Sequence, residues 1–103
     1  MKILTLIVHT NVQQELSDLL RTVDQVSGFT FTHVEGHGNE IEKDGFLAAH
    51  DKAVGYVPRI RTDLLLEDTD VESVLAAISA SDIQINGQGF YWVTPAEKGG
   101  HLK

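Results

Sequence analysis

Residues 29–40, Phe-Thr-Phe-Thr-His-Val-Glu-Gly-His-Gly-Asn-Glu, change character halfway. The first half starts as an apolar/polar alternation, the period-2 signature of a half-buried strand. The second half sets Gly36 and Gly38 around His37, an arrangement costly to order and poor at building a core. Taken alone, a strand that ends this way predicts a plain turn out of the sheet. From Gly36 to Gly55 there is little apolar periodicity and much charge, including Glu40, Glu42, Lys43, Asp44, Asp51 and Lys52. A loop this long in a small domain is usually functional or mobile. Phe46 and Leu47 are the candidate partner-binding tip of this 38–55 loop.

Outward from that turn, the elements fall into order. "KILTLIV", residues 2–8, is apolar at nearly every position, as expected of a central strand covered on both faces. Thr10 and Gln13 have the spacing of a capping box. Val12, Leu16, Leu19, Leu20 and Val23 then mark one helix face, with Gly28 ending the segment. "YVPRIRTDLLLE", residues 56–67, is the third predicted strand. A second capping box, Thr69 to Glu72, opens a helix with Val71, Val74, Leu75 and Ile78 on one side. "GFYWV", residues 89–93, is the last strand, introduced by Asn86-Gly87-Gln88-Gly89. The order βαββαβ predicts an α+β, ferredoxin-like fold for a single domain over 1–103: an antiparallel four-stranded sheet with both helices on one face. Arg59, Arg61 and Asp63 share one side of the third strand, and Thr30, Thr32 and Val34 one side of the second. A sheet face of that mixed polarity predicts cover by sister subunits, the alternative being a solvated face on a monomer.

Charge narrows the partners. Eight Lys and Arg against fifteen Asp and Glu give a formal net charge of −7, which disfavours nucleic acid and anionic membrane surfaces. With no cysteine, disulfides and thiol catalysis are excluded. The apolar run Ile3–Val8 is too short for a membrane span or a signal-peptide core, so a cytoplasmic location without membrane insertion is expected. No Gly-x-Ser-x-Gly elbow occurs, and Gly87-Gln88-Gly89 is too short for a dinucleotide fingerprint. A non-enzymatic protein is expected.

"GFTFTHVEGHG", "YVPRIRTDLLLED" and "GQGFYWV", in that order and spacing, resemble the segments of PII signalling proteins that enter the T-loop, leave it, and form the B-loop with the last strand. The ending "PAEKGGHL" and the shortened loop are similar to a divergent PII-like branch found beside heavy-metal efflux systems. The resemblance implies a homotrimer with ligand clefts between subunits and a protein partner, such as a membrane transporter or regulatory protein, met through the loop. It places Thr30 and Leu65 in the base pocket, Gly38 at a close backbone approach to phosphates, and Gly87, Gln88 and Gly89 in the B-loop turn. Arg59 and Asp63 fall where the family carries charged residues near the cleft. Phe90 stands where nucleotide-binding members have a lysine, and His101 and Lys103 stand where they have phosphate-clamping arginines. Losing that lysine removes a charge-assisted contact of roughly 1.5–3 kcal/mol, which disfavours ordinary ATP binding and leaves the cofactor unassigned.

Metal is the alternative chemistry. His33 and His37 are four apart, a chelating spacing on a helix but not on a strand. His37 and His101 are instead the candidate metal ligands, provided the loop base and the tail meet at a cleft between subunits. Zn, Cu or Ni would suit imidazole, and the protein would then be a metal-tolerance protein of CutA-like type. His9 is expected to be a polar strand terminus.

Overall fold

Alternation along the third strand organises the whole sheet. The computed structural model describes residues 1–38, 55–83, 85 and 89–103. Four strands, β1 (Lys2–His9), β2 (Thr30–Gly36), β3 (Val57–Leu66) and β4 (Phe90–Pro95), form one sheet in the order β2-β3-β1-β4, every pair antiparallel. Among the described residues two helices, α1 (Gln13–Leu20) and α2 (Val71–Ser79), complete the expected βαββαβ order and the ferredoxin-like fold.

In register, Leu4, Leu6 and Val8 of β1 stand beside Leu64, Thr62 and Ile60 of β3. These residues face the helices. Leu4, Ile60 and Leu64 have no exposed surface, and they pack with Val12, Leu16, Leu20, Val71 and Val74 in one cluster. Phe29 and Phe31 extend this layer at the β2 edge, their rings 5.4 Å apart and tilted. One residue in the layer breaks the pattern. Thr62 is fully buried, and its hydroxyl has no hydrogen-bond partner among the described residues. An orphaned buried polar group costs about 1–3 kcal/mol, so Thr62→Val is expected to stabilise the protein by about 1 kcal/mol, read as a higher urea midpoint.

Both helix starts differ from the capping boxes expected of them. Thr10–Val12 forms a 3₁₀ turn instead of a Thr10 cap, and the cap is His9, whose Nδ1 accepts the Asn11 N–H at 3.2 Å. A second 3₁₀ turn, Asp68–Asp70, precedes α2, and no side-chain cap is made there. In each case the tighter turn takes up backbone groups that a side chain would otherwise satisfy. The first helix is also shorter than its apolar spacing suggests. It stops at Leu20, and the Thr22 hydroxyl donates to the Leu19 carbonyl at 2.7 Å. Local side-chain bonds of this kind compete with helix continuation, and Thr22-Val23-Asp24 is a weak helix former. Val23 still packs on the core, but from a turn.

Candidate functional site

The face of the sheet away from the helices is built by the odd residues of β1 and β3 and the even residues of β2 and β4. Ile3 and Ile7 are half-buried there, while Leu65, Phe90 and Trp92 are 36%, 46% and 42% exposed. A charged pair sits in the middle of this apolar surface. Arg61 Nε donates to Asp63 Oδ2 at 3.0 Å and Nη2 donates to Oδ1 at 3.3 Å. From the neighbouring strand, the buried Thr5 donates its hydroxyl to Asp63 Oδ1 at 2.7 Å. The Arg61 guanidinium carbon lies 5.7 Å from the centre of the Trp92 ring, within cation–π range.

Partial burial pushes the Asp63 carboxyl up, but hydrogen bonds from Arg61 and Thr5, with the Arg61 charge, hold it below its ordinary 3.8. A carboxylate with a depressed pKa in the folded state contributes stability that is complete above the unfolded value. That stability is lost as pH falls through the lower, folded value. Asp63→Asn is therefore expected to be less stable than the parent at pH 7, by under about 1 kcal/mol because the pair is partly solvated. In urea titrations the gap is expected to narrow as the pH drops below 3.8.

The sequence-predicted site residues divide between the two ends of this face. At the loop end, His37 Nδ1 contacts the Gly55 carbonyl oxygen at 2.5 Å. A carbonyl only accepts, so Nδ1 carries the proton, and in the neutral ring the lone pair is left on Nε2. Gly55 has φ 82, the left-handed region in which a side chain would be strained. Arg59 is buried beside Gly36, where an added Cβ would sit 3.6 Å from the Arg59 Cγ. Gly38 follows at this same end, half-buried. Gly89 also lies here, and it serves packing: a Cβ would come within 2.6 Å of Ile85 Cγ2 and 3.6 Å of Val8 Cγ1. Gly87 and Gln88, like Phe46 and Leu47, lie outside the described residues.

At the other end Thr30, Asp63, Leu65 and His101 line one open groove of about 900 Å³, together with Lys98 and Asp70. Thr30 and Asp63 are register partners. The C-terminal tail crosses this end with Gly99 seated on Leu65, where a Cβ would meet Leu65 Cδ2 at 2.6 Å. The groove thus combines apolar floor, carboxylate, imidazole and ammonium, a set able to bind a small polar or ionic molecule.

Within one chain His37 and His101 lie at opposite ends of this face, so the expected meeting of the two would have to be between subunits. His37 follows Gly36, which pairs with Val57, whereas His101 lines the groove at Leu65. At about 3.3 Å per residue those two points of β3 are roughly 26 Å apart. Among the described residues no group of three or more His, Asp or Glu side chains is placed to hold a metal ion. Thr5, Arg61 and Trp92 were not among the expected site residues. Their signal was the odd–even alternation on adjacent strands, readable only once the register is known.

A second, more apolar cavity of about 390 Å³ opens on the helix side between α2 and β4, among Leu6, Leu16, Leu75, Ile78, Phe90 and Tyr91. No helix among the described residues is long and apolar enough to cross a membrane.

The fold has a solved counterpart. A crystal structure of a DUF3240 family protein from Shewanella baltica OS155 covers 99% of this chain and 96% of its own, with a TM-score of 0.76 and 19% sequence identity. At that identity the likeness speaks for the fold alone. The sequence itself goes further: residues 1–103 match the family described as protein of unknown function (DUF3240), and the chain belongs to that family.

Proposed function

We propose that the protein is a non-enzymatic, homotrimeric regulator of PII-like design, which binds a small ligand in clefts between copies and signals to a protein partner. The observation that carries this reading is the exposed apolar part of the sheet face away from the helices. Ile3, Ile7, Leu65, Phe90 and Trp92 lie around an Arg61–Asp63 pair that is already neutralised within the strand. Contiguous apolar surface of this kind marks an interaction site. Copies of the same chain can bury a self-paired ion pair without stranding a lone charge. The groove holding Thr30, Asp63, Leu65 and His101 opens at one end of that face, so a neighbouring copy would form its missing wall. Heavy-metal efflux is the setting that the sequence resemblance suggests.

Light scattering at micromolar protein tests the assembly, with a trimer mass expected and a monomer mass sinking the proposal. A thermal-shift screen of adenine nucleotides, bicarbonate, citrate and divalent metals tests the ligand. ATP is expected to give no shift, because Phe90 occupies the position of the phosphate-facing lysine. Micromolar ATP affinity by calorimetry at physiological salt would overturn that expectation. Zinc, copper or nickel binding abolished by His37→Ala or His101→Ala would favour the metal-tolerance reading instead.

A further inference from the structure

Between Asp82 and Glu97 the chain contains no Asp, Glu, Lys or Arg, its longest run without a charge. A run like this belongs at the centre of a sheet, shielded by a neighbour on each side. Among the described residues its strand, β4, is an edge, bonded only to β1. All six of its residues are exposed, Phe90, Tyr91, Trp92 and Val93 among them. Edge strands offer a row of backbone N–H and C=O groups to any other strand, and natural edges are usually blunted by charge. β4 has no such charge. Among the described residues its shortness and Pro95 at its end are its only protection.

We propose that the β4 edge of one copy pairs antiparallel with the β2 edge of the next, joining the sheets of the oligomer into a ring. The proposal rests on the homo-oligomeric reading above and specifies how the copies meet. β2 and β4 are the two edges of the sheet among the described residues, and their antiparallel neighbours make them run in opposite senses. Rotating a copy about an axis along the strands keeps its sense, so its β2 arrives antiparallel to β4. One chain then supplies both halves of the contact, and a head-to-tail contact closes when the rotation closes.

The side chains fit that pairing. On the open face, β2 presents Thr30, Thr32 and Val34, all β-branched and uncharged, to Phe90 and Trp92 of β4. Aromatic and β-branched residues are favoured cross-strand pairs. On the helix side, His33 and Glu35 of β2 would come beside Tyr91 and Val93, and no like charges meet. That condition matters for self-association at a net charge of −7.

The cysteine-free chain gives a clean test. His33 and Val93 are exposed and both lie on the helix side of the sheet, so they cannot meet across the open face. His33→Cys and Val93→Cys, co-expressed and treated with a short bismaleimide, are expected to give a cross-linked heterodimer as the main product. Each variant alone is expected to give only background. The double variant is expected to give a ladder that stops at the closed ring. Glu35→Cys, on the same side of β2, is a second reporter should His33→Cys fold poorly. Self-linking of Val93→Cys would show a two-fold contact between β4 strands and overturn the proposal. An oligomer mass without the mixed cross-link overturns the edge pairing alone, whereas a monomer mass overturns the oligomeric reading with it.

Discussion

Leu64→Ala is expected to lower stability by about 2–5 kcal/mol, the range for emptying a fully buried leucine site. Leu64 has no exposed surface, stands beside Leu4 in register and belongs to the one cluster that joins the sheet to both helices. Net stabilities of domains this size are of order 5–15 kcal/mol, so the loss is a large share of the whole. The size of the fall depends on how far the neighbours collapse into the vacated space, and Leu4 and Ile60 are held in strands that cannot move singly. Urea unfolding followed by circular dichroism measures it. A midpoint within error of the parent would mean that this layer is not the core.

Trp92→Glu is expected to have the opposite profile, with little effect on the isolated chain and a large effect on assembly. Trp92 is 42% exposed on the open face, so its replacement leaves no cavity in the core. The glutamate would place a carboxylate beside the one of Asp63, without the aromatic ring that Arg61 now lies over. In a trimer closed on this face, each copy would bury an added and uncompensated charge, a strongly destabilising change. Light scattering is expected to show the monomer mass while the far-ultraviolet spectrum stays that of the parent. A trimer that survives this substitution would place the subunit contacts elsewhere.

The strands were legible because a buried face imposes a strict period of two. Ile60, Leu64 and Leu66 on one side of β3, with Arg61 and Asp63 on the other, admit a single orientation. The helix ends were less legible. Thr10 and Gln13 satisfy the spacing of a capping box, yet His9, one residue earlier, reaches the free N–H first. The candidate site was readable only in halves. Thr30, Asp63 and Leu65 converge because Thr30 and Asp63 are register partners. His37 and His101 lie at opposite ends of the face within one chain, and a meeting between copies depends on the assembly, about which glycine neighbours and a shared chemistry carry no information. Thr5 shows the same limit. Inside an apolar run it reads as an ordinary strand residue, and its bond to Asp63 depends on a pairing across most of the chain.

The place of β1 in the sheet also governs how the molecule assembles in time. Lys2 pairs with Leu66 on one side and with Pro95 on the other. Of the four strands, β1 comes first in the sequence and its second neighbour, β4, comes last, so its apolar residues Ile3 to Val8 must wait for that strand. Pairings this distant carry loop-closure entropy before any contact repays it, and they slow folding. During that interval the nascent chain has an unpaired, nearly charge-free strand, the kind of segment that draws chaperones or neighbouring chains.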